Sequence, residues 1–361
     1  LKFNKVALKY IVKIAISVLL ICYLFFAPLT IFKSLSANQS NINHEIEVEY
    51  MGILELWNID TFEGGSVSRT NFLEKQAIKF EKEHTGTFIM ISNMSLEQAK
   101  LNLENGKTPD LVSFGIGVGE DLIQSLKPFS NNFDVRSDLL SGGKYKNSQL
   151  AIPYILGGYT LVSDTDYQKQ NNFTITNCLG FGGASQNNTV VSLAVNDITF
   201  NNYFDKSKEM DSFTAYDRFL SKKFDTLLGT QRDLYRVKNR IEKNTMTQKN
   251  YVMLPNFSDL VQYVGICSTD AVRYEICNMF VKKLLSVETQ STLNGINMFS
   301  TLNLSLYEGD EFEIMEKALS KNLKTISVFS SEQDLLKIKS LAFDYCTGNN
   351  EAKAELEKFL V

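Results

Sequence analysis

Apolar positions fall into two regimes along the chain. From Ile14 to Phe32 (IAISVLLICYLFFAPLTIF) 19 consecutive residues carry no charge, whereas beyond residue 46 apolar positions recur with the short periods of strands and helices. As a helix, the first run spans about 29 Å, close to one hydrocarbon core. In the second regime, Ile53 to Trp57 reads as a strand, followed by a long polar loop, Asn58 to Ser68, with Gly64-Gly65 inside it. Phe72, Leu73, Ala77 and Phe80 then recur at helical spacing and Gly86 stops the helix. Thr87 to Ile91 is a β-branched strand, Ser95-Leu96-Glu97-Gln98 is a capping box for a helix that Gly106 ends, and Pro109 to Phe114 gives a third strand. A short helix, Glu120 to Leu126, follows.

Strand, helix, strand, helix, strand in this order predicts βαβ crossovers and a parallel sheet. Ligands of such sheets sit at the carboxyl ends of the strands, which here puts Trp57 to Ser68 and Phe114 to Gly119 at one rim. Connections between strands and helices usually take about 2–6 residues. The 11 residues of Asn58 to Ser68 therefore call for a functional reason.

The middle of the chain is less periodic. Ala151 to Val162 (AIPYILGGYTLV) reads as one apolar strand interrupted by Gly157-Gly158, and residues 170–205, rich in Asn and Gly, read as loops between short strands. Phe213 to Phe224 is expected to be helical, Leu260 to Ile266 a strand, and Asp270 to Leu285 a helix with Cys277, Phe280, Val281, Leu284 and Leu285 on one face. Leu335 to Phe343 and Ala352 to Leu360 close the chain as helices.

Charge changes the picture at the amino-terminal end. Lys2, Lys5, Lys9, Lys13 and Lys33 are the only charged residues in the first 44, while residues 34–361 carry 32 basic groups against 41 acidic ones. Basic residues before an apolar run predict a cytoplasmic end (1–13), a transmembrane anchor or signal segment (14–32) and an exported body on the extracellular side of the cell membrane. Two readings of that segment stand: cleavage near Ser34-Leu35-Ser36, or an uncleaved anchor, which the length of the run favours. Lipid attachment at Cys22 is disfavoured because Leu19-Leu20-Ile21 offers no small residue before it. Residues 33–46, polar and rich in Asn and Ser, read as a linker.

Composition then excludes several classes. With 361 residues, 44% of them hydrophobic and 22% charged, the chain has material for a sizeable core and about two domains. A net charge of −4 argues against a nucleic-acid binder. Only His44 and His84 are available for imidazole chemistry, and no G-x-S-x-G or H-E-x-x-H signature occurs. Cys178, Cys267, Cys277 and Cys346 include no close pair, which disfavours a metal cluster; two disulfides or four buried thiols remain open. No cofactor or metal is implied.

Local motifs admit two readings each. Gly115-Ile116-Gly117-Val118-Gly119 has the context of a dinucleotide loop, but the third glycine position holds Glu120, and Glu120 and Asp121 would repel a pyrophosphate. Thr230 to Lys243 (TQRDLYRVKNRIEK) carries Arg232, Arg236, Lys238, Arg240 and Lys243. It is read as a solvated helix face paired with acids such as Asp233, the binding of anions being the alternative. Trp57, the only tryptophan, is either core or a ring that stacks on a sugar face. Asp60 and Glu63 have the makings of a glycosidase acid pair, or of hydroxyl ligands or a cap.

Four segments carry a resemblance. They are Trp57 to Glu81 (strand, polar loop and helix ending in FE), Gly106-Lys107-Thr108-Pro109-Asp110-Leu111-Val112-Ser113-Phe114, Ile152-Pro153-Tyr154, and Val264-Gly265-Ile266 continuing through Phe280, Leu285-Ser286 and Gln290. In this order they resemble extracellular solute-binding proteins of ABC importers, in the group that includes maltose-type carbohydrate receptors. The resemblance implies an α/β, two-lobed, periplasmic-binding-protein-like (type II) clamp with a hinge. Residues 47–157 and 265–300 would form lobe I, 158–264 lobe II, and 301–361 C-terminal helices packed on lobe II. It further implies a monomer that is not an enzyme and that passes a small polar solute, a sugar by this likeness, to ABC permease subunits.

Loop position, rather than a family motif, nominates the ligand-binding residues. Trp57, Tyr154 or Tyr159 would stack on a sugar face, Asp60, Thr61, Glu63, Ser66 and Arg69 would meet hydroxyls, and Gln231 and Arg232 would answer from the other lobe. A membrane-tethered glycan hydrolase and a ligand-sensing ectodomain without transport are the rival functions.

Overall fold

The computed structural model describes residues 50–164, 174–175, 179–181, 189–200, 211–223, 225–320 and 322–361. The expected segments 1–13, 14–32 and 33–46 lie outside these residues, as do Cys178 and much of 170–205. Among the described residues no helix is long and apolar enough to cross a membrane. Tyr50–Val361 forms a compact unit of its own.

Alternation along the first strand sets the layers. On β1 (Gly52–Ile59), Leu54, Leu56 and Asn58 point to one side of the sheet, and Trp57 and Ile59 to the other. Helix α1 (Arg69–Glu83) covers the first side with Phe72, Leu73, Ala77 and Phe80. Helix α2 (Leu96–Glu104), opened by the Ser95–Gln98 capping box, covers the second with Leu96 and Ala99. Each large side chain buried this way contributes about 1.5–3 kcal/mol. Strands β2 (Thr87–Met94) and β3 (Leu111–Phe114) flank β1 in parallel. Strand β4 (Ile152–Leu156) forms the far edge of this first sheet.

The second sheet is built from β5 (Tyr159–Ser163), β6 (Leu179–Phe181), β7 (Thr226–Thr230) and β8 (Asn250–Leu254), in the order β8-β5-β7-β6. The stretch Ala151 to Val162, expected as one interrupted strand, is thus two strands in two sheets. Strand β9 (Val261–Ile266) then returns to the first sheet and lies antiparallel between β3 and β4, giving the order β2-β1-β3-β9-β4. The expected return at residue 265 is corrected by this pairing: the chain is back in the first sheet from Val261, and the crossing occupies 255–260.

The two crossings run side by side. The Gly157 N–H donates to the Leu260 carbonyl at 2.7 Å, Ser258 Oγ donates to the Gly157 carbonyl at 2.8 Å, and Tyr159 Oη donates to Asp259 Oδ1 at 2.6 Å. Near them, Phe299 and Leu156 exchange backbone hydrogen bonds at 2.9 and 3.0 Å. Around the second sheet lie α3 (Thr189–Val195), α4 (Ser212–Leu220) and α5 (Gln231–Glu242), and α6 (Ala271–Leu284) packs on β9. Helix α7 (Glu311–Leu319) packs on β8, and α8 (Glu332–Cys346) lies along α3. Cys267, Cys277 and Cys346 are free, buried thiols, and burial pushes the Cys267 thiol up to about 12.

Candidate functional site

The site begins as a polar network under the carboxyl ends of the first sheet. Asn58, fully buried, donates to Asn93 Oδ1 at 2.9 Å and to Thr70 Oγ1 at 3.2 Å, and accepts from Ser113 Oγ at 3.0 Å. Ser113 Oγ also accepts from Gln262 Nε2 at 2.8 Å and lies 2.8 Å from Tyr154 Oη; with its own proton given to Asn58, the phenol is the donor. Gln262 Oε1 accepts from Arg69 Nη1 at 3.1 Å. Five buried side chains from β1, β3, β4, β9 and the start of α1 thereby satisfy one another.

Arg69 carries that network up into the loop 60–68. The other end of its guanidinium donates to Asp60 Oδ1 at 2.9 Å and to the Phe62 carbonyl, and its central carbon lies 4.0 Å from the centre of the Phe62 ring. Burial lowers the Arg69 pKa from its ordinary value, opposed by the Asp60 charge. Ser68 caps α1 and fixes the loop's exit, and the Ser66 N–H donates to the Ile296 carbonyl at 3.0 Å. Gly65 passes so close to that segment that a Cβ there would lie 2.0 Å from the Ile296 oxygen.

The opposing face is the amino-terminal end of α5. Thr230 and Asp233 form its capping box, so the side chains of 231, 232 and 236 are held at a fixed angle. Gln231 accepts from the Gly158 N–H at 3.0 Å and donates to the Glu63 carbonyl at 3.2 Å, touching both a crossing and the loop. The Glu63 carboxylate lies 3.6 Å from Arg232 Nε and 3.6 Å from Arg236 Nη2. Arg236 also pairs with Asp233 at 3.1 Å. Burial pushes the Asp233 carboxyl up to about 6; the Thr230 N–H and the Arg236 charge pull it down, and the Glu63 charge adds to the rise.

A cavity of about 330 Å³ lies where the two faces meet, lined by Asp60, Phe62, Glu63, Gly64, Val67, Ser68, Arg69 and Arg232. The structure therefore brings together four of the nominated residues, Asp60, Glu63, Arg69 and Arg232, with Ser66 and Gln231 beside them. Thr61 is buried, its hydroxyl without a hydrogen-bond partner. The three aromatic side chains are elsewhere, and the stacking role expected of them is corrected. Trp57 is only 3% exposed, packs on the α2 side and donates its indole N–H to Glu55 Oε1 at 2.9 Å. Tyr154 belongs to the buried network, and Tyr159 is held between the crossings, where burial and the Asp259 carboxylate raise its pKa.

Sequence reasoning passed over Asn58, Ser113 and Gln262, and gave Asp233 and Arg236 to a solvated face. Asp233 and Arg236 do pair, but they do so against the loop. A signal for Asn58 was present: counting by twos along β1 puts it on the same side as Leu54 and Leu56. Gly115 and Gly119 serve close packing; a Cβ on Gly119 would meet the Val328 carbonyl at 2.0 Å.

Fold and site together define an α/β protein of two sheets joined by paired crossings, with a polar crevice beside them. The chain is similar in fold to the GacH receptor of Streptomyces glaucescens, whose structures are unliganded or hold acarbose or an acarbose homolog. The TM-score is 0.57 at 13% identity, over 86% of this chain and 97% of that one. It is likewise similar to a cyclic alpha-maltosyl-1,6-maltose binding protein from Arthrobacter globiformis, with TM-score 0.57 and 9% identity over 86% and 98% of the two chains. No protein-family model matches the sequence, and no curated protein matches it either. The resemblance to carbohydrate-type solute-binding proteins thus holds at the level of the fold.

Proposed function

We propose that this protein is the substrate-binding component of an ABC importer, taking up a small neutral carbohydrate between two lobes and passing it on unchanged. One observation carries the reading: a long loop, anchored from below by a buried network, faces a helix end from the other sheet across a crevice whose two crossings run side by side. Paired crossings of this kind act as a hinge, and a ligand favours the closed form by its differential affinity for closed over open. Asp60, Glu63, Ser66 and Arg232 offer donors and acceptors to sugar hydroxyls, with the Phe62 and Val67 side chains as the apolar part of the lining. The fold's likeness to two sugar-binding proteins supports a carbohydrate over other solutes. The charge pattern of residues 1–46 supports export and a tether to the cell membrane, and the same reading supplies permease subunits as partners.

The hydrolase alternative loses its acid pair here. Asp60 accepts from Arg69, and Glu63 lies between two guanidinium groups, so neither stands ready beside a scissile bond. Calorimetry with neutral oligosaccharides, α-linked glucans first, tests the proposal. Saturable one-to-one binding, weakened at least tenfold by Glu63→Ala and without turnover of the sugar, is the expected result. No saturable heat across the panel, or release of product, overturns it.

A further inference from the structure

We propose that a second site, outside the crevice, binds a tetrahedral oxyanion, a phosphate or sulfate group, between α4 and α5. A cavity of about 380 Å³ lies there. Arg236, Arg240 and Lys243 supply three cations to its wall, Tyr216 and Tyr235 two phenol rings, and no carboxylate lines it. Asn239 adds a neutral amide donor. Among the described residues no ion pair engages Arg240 or Lys243, and Arg240 interacts with the Tyr216 phenol. This convergence stands out in a body, residues 34–361, whose acids exceed its bases by nine.

The helix end would ordinarily repel an anion, because its last carbonyls carry partial negative charge. Here those carbonyls are occupied. The Lys243 N–H donates to the Asn239 carbonyl at 3.1 Å, Asn244 N–H to Ile241 at 2.9 Å, and Thr245 donates to the Arg240 carbonyl through N–H at 2.8 Å and Oγ1 at 3.1 Å. The left-handed Asn244 (φ 55°) makes that turn. Arg236 is fixed as well: its guanidinium carbon lies 5.1 Å from the centres of both the Phe213 and the Tyr216 rings. Its Nη1 and Nη2 face Asp233 and Glu63, so Arg236 borders the cavity as a fixed, paired cation and the recognition of an oxyanion falls to Arg240 and Lys243.

The test is calorimetry on the full chain in detergent at constant ionic strength, with inorganic phosphate, sulfate, glucose 6-phosphate and, as control, glucose. Saturable binding of the anions that Arg240→Gln/Lys243→Gln weakens at least tenfold, with an unchanged melting temperature in their absence, is expected. Equal affinity for phosphate and glucose 6-phosphate assigns the site to a free ion. Tighter binding of the ester by tenfold or more assigns it to an oxyanion carried on a ring that stacks on the tyrosines. No saturable binding of any anion, or binding by the double variant within twofold of the parent, overturns the proposal. Because both substituted residues lie outside the crevice, neutral-sugar binding is read separately and its success or failure bears on the import function alone.

Discussion

The two faces of the crevice are built on different physics. The loop 60–68 has no regular structure of its own and takes its shape from beneath, through Arg69, Gln262, Ser113 and Asn58. The face opposite is the first turn of α5, where the capping box fixes the start of the helix. One face is ordered by tertiary contacts between residues up to 230 apart in sequence, Ser66 and Ile296, the other by a local motif of four residues. A site made this way concentrates its fragility on one side.

Removing the loop's anchor is the strongest way to test that asymmetry. Arg69→Ala leaves Gln262 and the Phe62 carbonyl without their donor and should destabilise the protein by about 3 kcal/mol, read as a urea midpoint shift. An unchanged midpoint would mean that the network does not hold the loop. Gly65→Ala comes next: its Cβ would press on the Ile296 carbonyl, at a cost of about 2 kcal/mol, whereas Arg232→Ala on the opposing face should change stability by less than about 1 kcal/mol. Equal losses from the two would abolish the contrast. Trp57→Phe separates core from site, with about 1.5 kcal/mol lost in stability and sugar affinity the same in both proteins by calorimetry; a weakened affinity would return Trp57 to the crevice.

The last effect belongs to the helical face and depends on pH. Burial raises the Asp233 carboxyl from an ordinary value of 3.8 to about 6 in the folded protein. Between those values the folded state keeps a proton that the unfolded state has released, so stability from this group is present below about pH 4 and is lost as pH rises through about 6. Relative to Asp233→Asn, the parent should lose about 3 kcal/mol over that window and no more above it. Denaturation midpoints at pH 4.5, 5.5, 6.5 and 7.5 measure the difference; parallel curves would show that the carboxyl titrates alike in both states.

Legibility followed the same division. Elements set by local rules stood out: the strand–helix alternation of residues 52–114, the Ser95 capping box and the helix after Asp270 all appear where periodicity and caps put them. The loop after β1 was also visible, because its length alone marked it. What could not be read was the destination of polar residues within strands. Ser113 in LVSF and Gln262 in VQYVGI look like interruptions of an apolar run, and only the pairing of β3, β9 and β1 shows that they meet. The aromatic nominations failed for a related reason. Proximity to a loop in sequence put Trp57 at the rim, while strand parity turned its ring beneath α2. Gln231 and Arg232 were legible as an opposing pair, but their partner Glu63 required the fold.

The placement of the one indole also dictates how this molecule is to be watched. Trp57 sits under α2, shielded from solvent and from the crevice, so its emission will report the melting of the first sheet and stay silent to a molecule entering the crevice. A fluorophore that senses occupancy has to be installed on the loop that the arginines face.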